Sequence, residues 1–244
     1  KQGYATACIM SNFLLLKGRG FNEGFDLYDD HLARGLDPHR GSTAAEVASA
    51  GIDWLQSRSA ADKPWFLTLH FFDPHTSYED QSKWSFTDPN YTGWVKGGLS
   101  DEDYKAHQAA ASDADREQLE ALYDEEIRCV DQAMSTVIAE LKETGVFEET
   151  IFVFTSDHGE ELAERGYIGH TRTLHSEQIE LPLLVRLPGA LRGGTRLTGS
   201  MSQTHLFASI LDLAELSVPP FCAPSMADWL LGNESADPNQ TLFF

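Results

Sequence analysis

The chain predicts an α/β fold, a mostly parallel β-sheet flanked by helices. Three observations point to it. Residues 4–10, 65–72, 151–155 and 181–187 are short runs rich in apolar and β-branched residues, of strand length and apolar enough for a covered sheet. Between them lie stretches whose apolar residues recur at helical spacing, residues 115–144 being the longest. Two of the runs stop abruptly at chemistry, Asp73-Pro74-His75 and Ser156-Asp157-His158-Gly159, and open α/β sheets bind ligands beyond the carboxyl ends of their strands.

Taken in order, Gly3 precedes the first strand, and the glycine-containing segment 17–24 is a loop. Residues 43–57 place Val47, Ile52, Trp54 and Leu55 on an amphipathic helix, with Thr43 and Glu46 in a capping-box pattern. Lys63-Pro64 closes the linker into the strand at 65–72. Residues 79–115, rich in Asp, Ser, Gly, Asn and Lys, read as a variable insertion at the cleft rim or over the sheet edge. Trp84, Tyr91, Trp94 and Tyr104 in it either stack on a sugar or aryl group or anchor the loop. The helix at 115–144 carries Leu119, Leu122, Ile127, Val130, Met134, Val137, Ile138 and Leu141, and Gly145 caps it. Helix, Gly145 and the strand at 151–155 together make a crossover unit. Residues 160–165 read as a short helical turn. Residues 1–215 form the central α/β part, and 216–244 are a loop-rich tail with a short helix at 225–231.

With 244 residues, 41% of them hydrophobic, the chain is long enough for one large domain or a domain with a small appendage. Its formal charge of -20 disfavours nucleic acid and anionic membrane surfaces as partners, and an anionic substrate would need local positive charge or a bound cation. No apolar run reaches transmembrane length. Cys8, Cys129 and Cys222 make neither a metal motif nor a disulfide framework; Cys129, among apolar helix positions, is a small core residue. The chain starts at Lys1 without a signal-peptide pattern, which reads as a processed product or a fragment. Its compartment stays undecided.

At the strand end, Asp157 and His158 offer one oxygen and one nitrogen to a divalent cation, with Gly159 free to turn the chain at positive φ. The competing reading is a polar strand-to-helix turn capped by Ser156 or Asp157. Asp157-His158-Gly159-Glu160, then Gly169-His170, then Glu180-Leu181-Pro182-Leu183-Leu184-Val185-Arg186-Leu187-Pro188-Gly189 resemble the sulfatase family of the alkaline-phosphatase-like superfamily. Asp73-Pro74-His75-Thr76-Ser77-Tyr78 resembles that family's Asp-Pro-His-x-x-Tyr segment, and Gly24-Phe25-Asp26 also matches.

The resemblance implies hydrolysis of sulfate esters, Ca²⁺ on Asp157 and His158, and a sulfated small molecule or carbohydrate as substrate. It implies that His75 contacts substrate oxygen and that His170, where many members carry Lys, holds a sulfuryl oxygen or protonates the leaving group. Arg172 supplies cationic charge nearby in sequence. His175 stands where the family often carries an aromatic residue, which implies packing. The family's Lys and His after the first strand are replaced here by Ser11 and Phe13, leaving Asn12 as an amide donor to an anion or as a turn amide. His70 reads as a satisfied histidine inside its strand.

The family's nucleophile is a formylglycine made from Cys or Ser within Cys/Ser-x-Pro-x-Arg. Cys222-Ala223-Pro224-Ser225-Met226 lacks the Arg and follows the Asp-His strand, so it is not that motif. The resemblance therefore implies a fold incomplete at both ends, with formylglycine and the remaining metal ligands in a region ahead of this chain. The chain alone is expected to be inactive. His170 in place of Lys keeps a phosphate or phosphonate ester hydrolase, or a phosphotransferase, open. The replacements at Ser11 and Phe13 keep a non-catalytic module open.

Overall fold

A computed structural model describes residues 2–34, 44–58, 63–81 and 83–233. The elements in chain order are β1 (Ala5–Met10), β2 (Leu27–Asp29), α1 (Ala44–Gln56), β3 (Trp65–His70), α2 (Asp101–His107), α3 (Asp113–Glu143) and β4 (Phe152–Thr155). After them come β5 (Glu161–Leu162), β6 (Ile168–Gly169), α4 (Ser176–Ile179), β7 (Leu183–Arg186), α5 (Leu206–Leu213) and α6 (Ala227–Leu231), with short 3₁₀ turns between several of them. The first of two compact units comprises residues up to Leu141 together with Glu160–Thr171. The second comprises Lys142–Gly159 and the residues from Arg172 onward.

The first unit is built on a parallel sheet in the order β2-β1-β3, with Ala5 opposite Trp65 and Met10 opposite His70. Central β1 is buried from Thr6 to Met10, as its run of small and apolar residues requires. Helix α1 packs on β1 and β3. Gly51 allows the close approach, since a Cβ there would lie 2.7 Å from the Leu69 side chain. The Thr43 cap lies outside the described residues.

Helix α3 begins at Asp113, two residues earlier than the apolar pattern indicates. Ser112 and Asp115 cap it reciprocally: Ser112 Oγ accepts from the Asp115 N–H (3.2 Å) and Asp115 Oδ2 from the Ser112 N–H (2.8 Å). Gly145 follows the helix at φ +77°, as a C-cap needs.

The segment 79–115 is more structured than an insertion loop. Ser100 and Asp103 form a capping box for α2. Val95, Leu99 and Tyr104 join Tyr78, Leu119, Leu122, Leu162, Ala163 and Ile168 in one buried cluster, with Tyr91 and Trp94 against it. The aromatics therefore anchor the segment: Tyr91 bonds Asp115, and Trp94 stacks on His107. The cations of Lys83 and Arg128 lie over the Trp84 ring, 4.7 and 4.6 Å from its centroid.

Residues 160–165 are not helical. β5 and β6 pair antiparallel as a small hairpin, Glu161 opposite Gly169, and Glu161 is fully buried with Arg165 3.4 Å away.

In the second unit β4 pairs antiparallel with β7, Phe152 opposite Arg186 and Thr155 opposite Leu183. The strand at 151–155 is only half-buried and its described partner runs antiparallel, so its apolar run does not report two covered faces here. Arg186 ties the preceding turn to the sheet, 4.0 Å from the Phe147 ring centroid, donating to Phe147 O and paired with Glu148 (both 2.8 Å). Buried Ser209 on α5 donates to His205 O (2.7 Å) and accepts from the Met226 N–H (2.9 Å), and His205 Nδ1–H donates to Pro224 O (2.8 Å). These bonds hold the loop-rich tail against α5. Among the described residues no helix is long and apolar enough to cross a membrane.

Candidate active site

His75 and His170 come together in the first unit. Their ring centroids are 5.0 Å apart at 73°, and a ring nitrogen of each lies within 4.8 Å of the other's. His75 leaves β3 through Asp73-Pro74, and Phe72 stacks on its ring with centroids 4.4 Å apart. A carbonyl only accepts, so the 2.5 Å contact from His75 Nδ1 to Thr76 O places the proton on Nδ1.

His170 follows β6 and Gly169, whose φ of +101° suits glycine alone. Its Nδ1 is 2.8 Å from Glu160 Oε1, and its carbonyl accepts from the Tyr167 hydroxyl (2.5 Å). Glu160 Oε2 accepts from the Tyr78 hydroxyl at 2.9 Å. Burial, then the Glu160 charge, holds the Tyr78 phenol well above its usual range, so it stays a donor.

The loop carrying His75 is braced from α3. Glu126, 2% exposed, accepts the Glu79 N–H at 2.8 Å through Oε1, while its Oε2 meets no hydrogen-bond partner. Burial pushes its carboxyl up to about 9, against hydrogen bonds from the Glu79 and His75 backbone, with the charges of Asp73 and Glu79 adding to the rise. The neighbouring Glu125 accepts the N–H groups of Gln81, Phe86 and Thr87 at 2.9, 2.7 and 3.3 Å. Asp73 is pushed up to about 6, mainly by burial; a hydrogen bond from the α1 N-terminal N–H of Ala44 opposes this. Sequence reasoning assigned Asp73, Tyr78, Glu126 and Glu160 no role, although Asp73, Tyr78 and Glu160 sat inside quoted motifs.

Asn12 Oδ1 accepts the Leu14 N–H at 2.8 Å and caps a 3₁₀ turn, the turn-amide alternative. Buried Ser11 donates to His70 O at 2.6 Å, joining the ends of β1 and β3, so its hydroxyl is spent on the scaffold.

In the second unit Asp157 and His158 stand at the end of β4, their side chains 65% and 34% exposed. His158 Nδ1–H donates to Gly159 O at 3.1 Å, and Asp157 Oδ1, which accepts the His158 N–H at 3.0 Å, is 3.8 Å from His158 Nε2. Gln203 Nε2 donates to the carbonyls of Ser156 (2.6 Å) and Asp157 (3.2 Å), which fixes the turn from outside. Gly159 is required for a reason other than positive φ. A Cβ there would lie 2.0 Å from Glu177 O, and the Gly159 N–H donates to Gln178 O at 2.9 Å. Arg172 and His175 are exposed in this unit; His175 sits just before α4, and its exposure overturns the packing role.

A profile of the family described as Sulfatase matches residues 1–216. The chain belongs to the sulfatase family. It is 22% identical over 210 residues to the multifunctional alkaline phosphatase superfamily protein PehA of Trinickia caryophylli, covering 76% of this chain and 40% of that protein. It is 28% identical over 112 residues to an N-acetylglucosamine-6-O-sulfatase of Bacteroides thetaiotaomicron, covering 46% of this chain and 20% of that one. The structure of BT4656 in complex with its substrate D-glucosamine-2-N,6-O-disulfate superposes with a TM-score of 0.74 at 17% identity, covering 98% of this chain and 64% of that one. The fold is thus that of the alkaline-phosphatase-like sulfatases, and the chain spans less than half the length of the two curated relatives.

Sulfatase membership implies a metal and a formylglycine, and the residues answer differently for each. Asp157 Oδ1 and His158 Nε2, 3.8 Å apart, fit two ligand positions on one divalent cation with bonds of about 2.3–2.6 Å. They fit part of a coordination shell, since Ca²⁺ takes about six to eight ligands. The formylglycine does not fit this chain. Cys8 is buried, its thiol pushed up to about 12 by desolvation, and Cys129, half-buried rather than core, has no Pro-x-Arg after it. Cys222 has the Pro but Met226 in place of Arg.

Proposed function

We propose that this chain is the central part of a sulfuric ester hydrolase acting on a sulfated small molecule or carbohydrate. The observation carrying the reading is the His75–His170 pair, two imidazoles edge to face at 5.0 Å on loops beyond strands of one unit. Nδ1 of each contacts an oxygen within the protein, and in this reading Nε2 is the nitrogen that meets substrate. With Nδ1 protonated, Nε2 carries a hydrogen only in the imidazolium, and that Nε2–H donates to an oxygen of the transferring group or to the leaving oxygen and opposes negative charge as it grows there. Arg172 supplies further positive charge to the anion, and the Asn12 amide nitrogen a neutral donor. Asp157 and His158 would hold a divalent cation, calcium in this reading, which supplies charge to bind and polarise the sulfate group. The nucleophile, a formylglycine, is assigned to a region ahead of this chain.

The test is hydrolysis of an aryl sulfate by a protein that carries that region. His75→Ala and His170→Ala are each expected to lower kcat/KM by roughly 10²- to 10⁴-fold. Unchanged turnover in both variants would refute the assignment, and absence of turnover in the unmutated protein would favour a non-catalytic module. The 244-residue chain alone is expected to show no turnover. A second reading, phosphonate or phosphate ester hydrolysis, is favoured by His170 at the Lys position. The ratio of kcat/KM for matched aryl sulfate and aryl phosphonate esters decides between the two.

A further inference from the structure

We infer that Glu160 is a positioning residue, whose buried carboxylate, held from behind by the Tyr78 hydroxyl, fixes the tautomer and orientation in which His170 presents Nε2 to substrate. Three contacts converge on His170. Its carbonyl takes the Tyr167 hydroxyl, its ring lies edge to face with His75, and its Nδ1 lies 2.8 Å from Glu160 Oε1. The Glu160 side chain is 2% exposed and the His170 side chain 20%, so the carboxylate forms the inner wall and the imidazole the half-open side.

Hydrogen-bond accounting sets the proton's place. Tyr78, fully buried, donates its hydroxyl to Glu160 Oε2 at 2.9 Å, which uses one carboxylate oxygen as an acceptor. The other oxygen then accepts from His170 Nδ1–H, leaving no buried acceptor facing another acceptor. Free imidazole prefers the proton on Nε2, so the Nδ1–H form has to be imposed, and a carboxylate on Nδ1 imposes it. Gly169 seats the same arrangement: its would-be Cβ position lies 3.8 Å from Glu160 Oε2 and 3.7 Å from the Tyr167 hydroxyl.

The claim about the ring stands on this geometry alone; its consequence for turnover rests on the sulfuric-ester reading above. The ring is tested in the chain itself by long-range ¹⁵N–¹H correlation of histidine-labelled protein at alkaline pH, with the His170 signals identified by their loss in His170→Asn. The expected result is a proton on Nδ1 in the unmutated chain, moved to Nε2 in Glu160→Ala and retained on Nδ1 in Glu160→Gln, whose amide oxygen still accepts. Nδ1 without a proton in the unmutated chain, a measurement needing no variant, overturns the inference, as does an unchanged proton in a folded Glu160→Ala. In the longer protein that carries the nucleophile region, Glu160→Ala is expected to lower kcat for an aryl sulfate about 10- to 100-fold, with KM within about threefold and Glu160→Gln restoring most of it. If the proton moves but turnover does not change, the positioning of His170 is upheld and its role in ester cleavage is what fails.

Discussion

Replacing Glu126 by Gln should stabilise the first unit, and the gain should grow with pH. Glu126 is buried with its carboxyl pushed up to about 9 from its ordinary value of 4.5, chiefly by desolvation. The folded state therefore keeps a proton that the unfolded chain releases, so this group's contribution is fully present below about 4.5 and is lost as pH rises towards about 9. Each pH unit in that window costs about 1.4 kcal/mol, so by pH 7 the loss approaches about 3 kcal/mol as an upper bound. Gln does not titrate, accepts the Glu79 N–H as Glu126 Oε1 does, and removes the slope. Its amide nitrogen would stand where Oε2 has no partner, which returns roughly 1 kcal/mol of the gain. The assay is urea unfolding of both proteins at pH 5, 7 and 8.5 by tryptophan fluorescence, since Trp54, Trp65, Trp84 and Trp94 belong to the first unit. Asp73, raised to about 6, adds its own slope to both proteins, so their difference reports Glu126 together with the part of its rise that the Asp73 charge supplies. A difference constant from pH 5 to 8.5 would refute the reasoning, because it would mean that the buried carboxyl ionises as readily in the fold as outside it.

Asp157→Ala, in the protein that carries the remaining ligands, should weaken calcium binding by at least about tenfold in titration calorimetry; unchanged affinity would remove Asp157 from the metal site. Gly159→Ala should lower the melting temperature, because its Cβ would stand 2.0 Å from Glu177 O and the turn after β4 must move, at about 1–3 kcal/mol. Ser100→Ala should cost α2 about 1 kcal/mol through loss of its capping box, visible as faster amide exchange confined to residues 101–107.

Much of the scaffold was legible because burial writes a pattern. β1, β3, β4 and β7 fall within the apolar runs, and α1 and α3 within a few residues of the helical spacing. What stayed hidden is what pattern does not encode. An apolar run reports covered side chains but not the direction of the neighbouring strand, so the antiparallel β4–β7 pair had no signal in residues 151–155. β2, β5 and β6 are two or three residues long, too short for any period to register. The α2 start was readable from Ser100-x-x-Asp103, a capping pattern obscured by the polar composition around it. For the site, motif resemblance found His75 and His170, but not what holds them. Glu160 is ten residues from His170 in sequence, and only the β5–β6 hairpin, mistaken for a helical turn, folds one back onto the other.

The acid excess of the chain takes on a different meaning at those two histidines. A protein of net charge -20 is a poor host for an anion if its acids face the substrate. Here two of the acids closest to the chemistry are turned inward: Glu126 against the backbone of the His75 loop, and Glu160 against His170 Nδ1 and the Tyr78 hydroxyl. Each is only about 2% exposed, as a residue for Glu126 and in its side chain for Glu160; both Glu160 oxygens and Glu126 Oε1 meet N–H or O–H donors within the protein, while Glu126 Oε2 meets none. Burial also holds Glu126 towards its neutral form, which removes one negative charge from beneath the His75 loop. The same carboxylates that add to the formal charge thus serve as struts for the imidazoles. On this reasoning, acids can accumulate on the exposed surface without weakening an anion site, provided that those beneath the site stay protonated or paired.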